Sequence, residues 1–179
     1  MKIETKYIRN LFETNNLFEK RKTLSRNEYL KPGGTIDTNI YLIEEGSLKI
    51  SVYKDSEEQI IRFGYKDNFI VALDSFLTEQ PSEFYIQAIK KTSVRIIPKK
   101  NIIAFLSQDT QHLKIWIALL EDLIVQQIER EKDLLTSSPK ERYERVLQRS
   151  PQLFQQIPNK HIANYLRMTP ETLSRLKKY

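Results

Sequence analysis

The spacing of apolar residues divides the chain into stretches of different period. Between Tyr7 and Glu19, Ile8, Leu11 and Phe12 recur at helical spacing and Leu17-Phe18 closes the run, which predicts a short amphipathic helix capping the next segment of the chain. From Lys22 to Pro98 the pattern changes to short runs rich in Ile, Val, Tyr and Phe, at residues 39–43, 47–53, 59–63, 84–89 and 93–97. Turn-forming groups separate them: Lys31-Pro32-Gly33-Gly34, Glu44-Glu45-Gly46, Asp55-Ser56-Glu57-Glu58 and Tyr65-Lys66-Asp67-Asn68. Regular short strands with such punctuation predict a small β-barrel or jelly roll.

After Pro98 the period becomes helical again. Residues 101–106 form a short piece, and 111–135 read as one long helix without Gly or Pro. Leu113, Ile117, Leu120 and Ile124 step by four, three and four, the seam of a two-stranded coiled coil, which continues through the polar Gln127 and Glu131 to Leu134. Trp116, Leu119 and Leu123 form a second stripe, so one face can pair with another copy while the other packs on the β-domain. Thr136-Ser137-Ser138-Pro139 breaks the helix and predicts a hinge. Beyond it lie helical runs at 140–149, with Tyr143, Val146 and Leu147 apolar, and at 152–156.

The last stretch reads as two short helices joined by a tight turn. The first starts after Pro158 and carries Ile162, Ala163 and Leu166 on one face. The second has Thr169 as N-cap and Pro170 at the first helical position, where a missing N–H costs nothing. Leu173 and Leu176 turn inward; Glu171, Ser174, Arg175 and Lys178 turn outward. Such an outward face suits base edges in a DNA major groove, since arginine can bond guanine N7 and O6 together and a carboxylate can accept from the cytosine amino group. A plain helical hairpin with a solvated polar face has the same pattern.

Charge favours the DNA reading. Residues 137–179 hold nine bases and three acids, a net +6, and the whole chain is also +6, so residues 1–136 balance to zero. Bases interleaved with an apolar period are the footprint of phosphate contacts. Thr169, Thr172, Lys160, Lys177 and Lys178 are the candidate phosphate contacts; Glu171, Ser174 and Arg175 are the candidate base contacts.

The chain has no cysteine, which removes disulfides, iron–sulfur clusters and thiol sensing. The charged start Met1-Lys2-Ile3-Glu4-Thr5-Lys6 lacks a signal peptide's apolar core, and no apolar run approaches a membrane span, so a cytoplasmic protein is expected. A metal-dependent cupin needs two or three histidines and a carboxylate on the roll, whereas the two histidines, His112 and His161, fall on predicted helices. His112 alone is a weak axial haem ligand. No nucleophilic motif, phosphate-cradling glycine loop or pair of catalytic acids is present; Glu44-Glu45 and Glu57-Glu58 read as solvated turn residues. No catalytic residue, metal site or cofactor is expected.

In this order, a β-roll, a long helix with a coiled-coil seam, a hinge and a basic helix-turn-helix resemble the Crp/Fnr family of bacterial transcription regulators over nearly the whole chain. The specific segments are Glu44-Glu45-Gly46-Ser47-Leu48, Asp67-Asn68-Phe69-Ile70, Ile162-Ala163-Asn164-Tyr165-Leu166, and Thr169-Pro170-Glu171-Thr172-Leu173-Ser174-Arg175. The resemblance implies an α+β fold: a cyclic-nucleotide-binding-like roll at 1–107, a dimerisation helix at 108–136 and a DNA-binding helix-turn-helix at 137–179. It implies base contacts by Glu171 and Arg175, a homodimer, and an inverted-repeat target in double-stranded DNA with half-sites about 34 Å apart. RNA polymerase is a further partner where a family member activates transcription.

The sequence departs from the family in three places. The strand hairpin that often comes after the reading helix is not expected. Arg167 stands where a turn glycine is common, at a cost on the order of 1 kcal/mol in a left-handed conformation. Val71-Ala72 and Ser82-Glu83 replace the Gly-Glu pair and the arginine that hold a cyclic nucleotide, and an acid near the phosphate would repel it, so no response to cyclic AMP is expected. The remaining apolar residues, Phe69, Val71, Leu73, Phe84 and Tyr85, either line a pocket for a hydrophobic effector or fill the roll's core. The alternative function is an effector-sensing or scaffold protein whose helix-turn-helix binds protein.

Overall fold

The computed structural model describes residues 4–178. Its β-domain is built from β1 (Lys20–Leu24), β2 (Tyr29–Lys31), β3 (Asn39–Glu45), β4 (Ser47–Lys54), β5 (Glu57–Tyr65), β6 (Phe69–Val71), β7 (Tyr85–Ala88) and β8 (Thr92–Pro98). They form two antiparallel four-stranded sheets, ordered β1-β8-β3-β6 and β2-β7-β4-β5. The turn chemistry sets the hairpins. Asp55 and Ser56 both take positive φ, 51° and 67°, the two-residue turn whose twist matches that of the β4–β5 pair. Gly46, at φ 90°, joins β3 to β4, where a Cβ would lie 2.4 Å from the Lys91 carbonyl oxygen.

Alternating strand residues meet between the sheets: Leu24, Tyr41, Ile43, Leu48, Ile50, Ile86, Val94 and Ile96 form the inner core. Among the described residues, eight helices surround it: α1 (Thr5–Thr14), α2 (Leu73–Thr78), α3 (Lys99–Leu106), α4 (Thr110–Leu135), α5 (Pro139–Arg149), α6 (Pro151–Gln156), α7 (Asn159–Tyr165) and α8 (Pro170–Leu176). A second cluster joins α1, α3 and α4 to the roll through Ile8, Phe12, Ile97, Ile102 and Phe105, with Trp116 and Leu119 packed against it. A third unites the C-terminal helices with Ile60, Phe63 and Ile89 of the roll.

Predicted and observed elements differ where local turn chemistry wins. The first helix ends at Thr14 because Asn16 adopts φ 54°, and Leu17 is buried outside it. The short β1, β2, β6 and α2 have no clear period of their own. Glu58 is not solvated: it accepts from the Lys49 ammonium at 2.5 Å and from the Ser51 hydroxyl at 2.8 Å.

Candidate nucleic-acid interface

Helix α8 begins as its sequence predicts. The Thr169 hydroxyl accepts from the Thr172 N–H at 3.2 Å, and Pro170 occupies the first turn. Leu173 is fully buried, whereas Glu171, Ser174, Arg175 and Lys178 are exposed. The Glu171 carboxyl is held below the usual range by its own backbone N–H and by the Thr169 hydroxyl, and so presents a charged acceptor. The turn from α7 to α8 passes through Arg167 at φ 54°, the left-handed conformation expected where the family often has glycine.

Of the predicted phosphate contacts, Thr169, Lys160 and Lys178 are exposed and Thr172 is half-buried. Lys177 is also exposed, but its ammonium donates to Asn159 Oδ1 at 2.5 Å and stands 5.6 Å from the Phe154 ring centre, so it ties α8 to the start of α7.

The formal charge of the C-terminal segment overstates what phosphate can meet. Three of its nine bases are not available. Arg142 is 7% exposed and donates to three carbonyls: Leu166 at 2.6 Å, Thr136 at 2.5 Å and Arg167 at 3.1 Å. Arg145 and Arg149 pair with Asp133, which is fully buried, and approach Glu129. Both acids lie on α4, outside residues 137–179. Arg142 binds across the α4–α5 junction and the α7–α8 turn; the other two clamp α5 to α4. In sequence these arginines are indistinguishable from surface bases, and the one available signal is the acidic pair Glu129 and Asp133 on the preceding helix.

Two further contacts fix the pose of the helix pair. Arg130 of α4 donates to the Tyr165 carbonyl at 2.6 Å and lies 3.7 Å over the Tyr165 ring. The Asn164 carboxamide accepts from the Ile60 N–H and donates to the Glu58 carbonyl, both at 2.8 Å, and so pairs with the free edge of β5 as a neighbouring strand would. His161 is half-buried at the same junction; burial and the cations Lys49, Lys160 and Arg26 lower its pKa to about 4 despite Glu58. His112 packs instead on Phe105, rings 3.7 Å apart, with Nδ1 2.8 Å from the Phe105 carbonyl.

On α4, Leu113, Ile117 and Ile124 are exposed and Leu120 is half-buried, while Trp116 and Leu119 pack on the roll. The two stripes thus face different ways.

The residues considered for an apolar pocket are divided. Phe69 and Val71 pack with α1 and α3, Phe69 meeting Phe12 edge to face at 5.6 Å. Phe84 packs against the inner core, Tyr85 stands beside Tyr29 and Tyr53 at 5.7 and 4.9 Å, and Leu73 begins α2. Lys31, missed in the sequence, is 1% exposed; its ammonium donates to the carbonyls of Pro32 at 3.1 Å, Ser82 at 2.9 Å and Phe84 at 2.8 Å. Burial lowers its pKa against the pull of Asp37 and Asp74.

No described helix is long and apolar enough to cross a membrane, and no group of three metal-ligating side chains occurs among the described residues. No curated protein matches the sequence. The family model for the cyclic nucleotide-binding domain matches residues 21–109. Among solved structures, FixK2 from Bradyrhizobium japonicum superposes with a TM-score of 0.73 at 18% identity, over 89% of this chain and 82% of that one. A CooA mutant from Carboxydothermus hydrogenoformans gives 0.72 at 15%, over 93% and 77%. The catabolite activator protein of Thermus thermophilus gives 0.58 at 17%, over 95% and 81%. At these identities the likeness is one of fold. Residues 21–109 therefore match the cyclic nucleotide-binding domain family, and nearly the whole chain shares the fold of these three proteins.

Proposed function

We propose that the chain is a homodimeric, sequence-specific DNA-binding regulator of transcription that acts on an inverted repeat and does not respond to cyclic AMP. The roll at 1–107 serves as sensor or scaffold, 108–136 pairs two copies, and 137–179 binds DNA. The observation that carries this is the outer face of α8: Glu171, Ser174 and Arg175 stand exposed on a helix whose inner side is sealed by Leu173. The apolar strip of Leu113, Ile117 and Ile124 supports pairing through α4, which would set two reading helices in successive major grooves.

The cassette supports insensitivity to cyclic AMP. Where a bound phosphate needs inward-facing donors, the carbonyls of Ser82 and Phe84 instead face the Lys31 ammonium, and all three ammonium protons are taken by Pro32, Ser82 and Phe84. A domain of this family can keep its fold without its ligand.

Selection of bound duplexes from a random library by the purified protein tests the reading. An enriched inverted repeat with half-sites about one helical turn apart supports it. Arg175→Ala should then lose about 1–3 kcal/mol at one base pair, whereas Lys178→Ala weakens all sequences alike. Absence of any enriched sequence, with and without cyclic AMP, overturns it.

A further inference from the structure

The junction between the helix pair and the roll holds an imidazole for which DNA reading has no use. His161 and Asn164 stand three positions apart on α7 and so share a face of that helix. Asn164 pairs with the β5 edge through the Ile60 N–H and the Glu58 carbonyl, and His161 is half-buried beside it. The charged groups that act on its ring are Arg26 from the turn after β1, Lys49 from β4, Glu58 from β5 and Lys160 from α7 itself.

The single acid in this set is already taken. Glu58 Oε2 accepts from the Lys49 ammonium and Oε1 from the Ser51 hydroxyl. Lys49 is 7% exposed, so water screens its charge poorly. An imidazolium formed here would meet Lys49, Lys160 and Arg26 with both Glu58 oxygens bonded elsewhere. The neutral ring suits the docked helix; the charged ring is relieved when α7 leaves the roll. Opposing that departure, Ile60, Phe63 and Ile89 of the roll are buried with Val146, Ile162 and Leu166. The docked pose therefore dominates at neutral pH, and acid acts on how often it opens.

We propose that the junction of α7 with the β5 edge is an acid-sensitive latch, in which protonation of His161 among Arg26, Lys49 and Lys160 releases the α7–α8 pair from the roll. The latch rests on contacts between the roll and α7 and holds whatever α8 binds. Its direction follows from the two states of the ring. Released, His161 titrates near its ordinary 6.5; docked, it titrates at about 4. Opening is therefore indifferent to pH above 6.5 and grows as pH falls from 6.5 towards 4.

Native-state hydrogen exchange on the full chain tests this, because the Ile60 N–H donates to Asn164 Oδ1 and its protection records whether α7 is docked. After correction for the pH dependence of chemical exchange, the Ile60 opening constant should rise about fivefold from pH 7 to pH 5, the figure expected for a half-exposed ring. At both pH values it should exceed the opening constant of the β3–β8 ladder, which reports unfolding of the roll. His161→Asn should show no rise. Lys49→Met removes one cation and frees a Glu58 oxygen for the imidazolium, so its rise should be smaller than the wild type's. The same rise in His161→Asn as in the wild type, no rise in the wild type, or a full rise in Lys49→Met would overturn the latch. So would an Ile60 opening constant no larger than that of the ladder, since the helix pair would then leave only when the roll unfolds.

Discussion

Arg142 offers the sharpest test of how the turn before α8 is held. Its guanidinium spans the Thr136 carbonyl at the hinge and the Leu166 and Arg167 carbonyls in the turn before α8. Arg142→Met keeps the apolar stem and removes all three donors. Leu166 is fully buried, so its carbonyl has no route to water and should cost about 1–3 kcal/mol unpaired. Arg167 is exposed and Thr136 half-buried; their carbonyls can take water, and each should lose only about 1 kcal/mol. The sum, about 3–5 kcal/mol, is a large share of the roughly 5–15 kcal/mol that stabilises a typical domain.

The loss should be local, because the roll's inner core makes no use of Arg142. Hydrogen exchange should show faster exchange of the Leu166 and Met168 amides, which donate to Ile162 and Ala163, with the β3–β8 ladder still protected. Chemical denaturation followed by circular dichroism gives the magnitude. Arg142→Lys, with one ammonium in place of a fork, should fall between. A stability change below about 1 kcal/mol for Arg142→Met, with unaltered protection at Leu166 and Met168, would show that the turn is held by packing and that the three hydrogen bonds are incidental.

Ile117→Asp places a charge on the exposed α4 strip and should convert a dimer to a monomer by light scattering without lowering monomer stability; a dimer that survives would place the seam elsewhere. Lys31→Met should destabilise the roll by about 1–3 kcal/mol, since the half-buried Phe84 carbonyl loses its donor while those of Ser82 and Pro32 keep the Gly34 N–H and the Thr35 hydroxyl, and thermal unfolding at wild-type temperature would refute that role. His161 carries a pH signature. Its folded pKa, about 4, lies below the ordinary 6.5, so the unfolded chain takes up the proton first as pH falls. Its contribution is complete above pH 6.5 and is lost between 6.5 and about 4. With the ring half-exposed, the loss should be on the order of 1 kcal/mol, read as the wild-type minus His161→Asn stability at pH 7 and pH 5. The same difference at both pH values would rule it out.

The architecture was legible wherever a period ran long enough to count. The 26-residue α4 and the strands β3, β4, β5 and β8 fall within a few residues of their sequence patterns. The start of α8 was legible from Thr169-Pro170 because a cap is local chemistry. The three-residue strands β2 and β6 were not, since three residues carry no measurable alternation and long-range pairing alone defines them. For the site, outward and inward residues of α8 followed from 100° geometry. Which bases are free did not: that Arg142 is buried and that Arg145 and Arg149 pair with Asp133 depends on carbonyls and carboxylates up to 25 positions away.

The buried arginines Arg130 and Arg142 also bear on how the roll is coupled to α8. α8 is not free to swing about the hinge. Arg130 and Arg142 fasten the turn before it to α4 and the hinge, while Asn164 fastens the preceding helix to the edge of β5. The pose of α8 is therefore a compromise between two supports, one on the helix proposed to set the dimer axis and one on the roll. A shift of β5 against α4 must break either the Asn164 pair or the Arg130–Tyr165 contact. The first is two hydrogen bonds at a half-buried edge, where water can replace them at about 0.5–1.5 kcal/mol each. The second is a charge-assisted hydrogen bond from an Arg130 that is buried and stacked on the Tyr165 ring, where water cannot take its place. The Asn164 contact is the weaker link, and it is there, at the β5 edge, that a change in the roll would first reach α8.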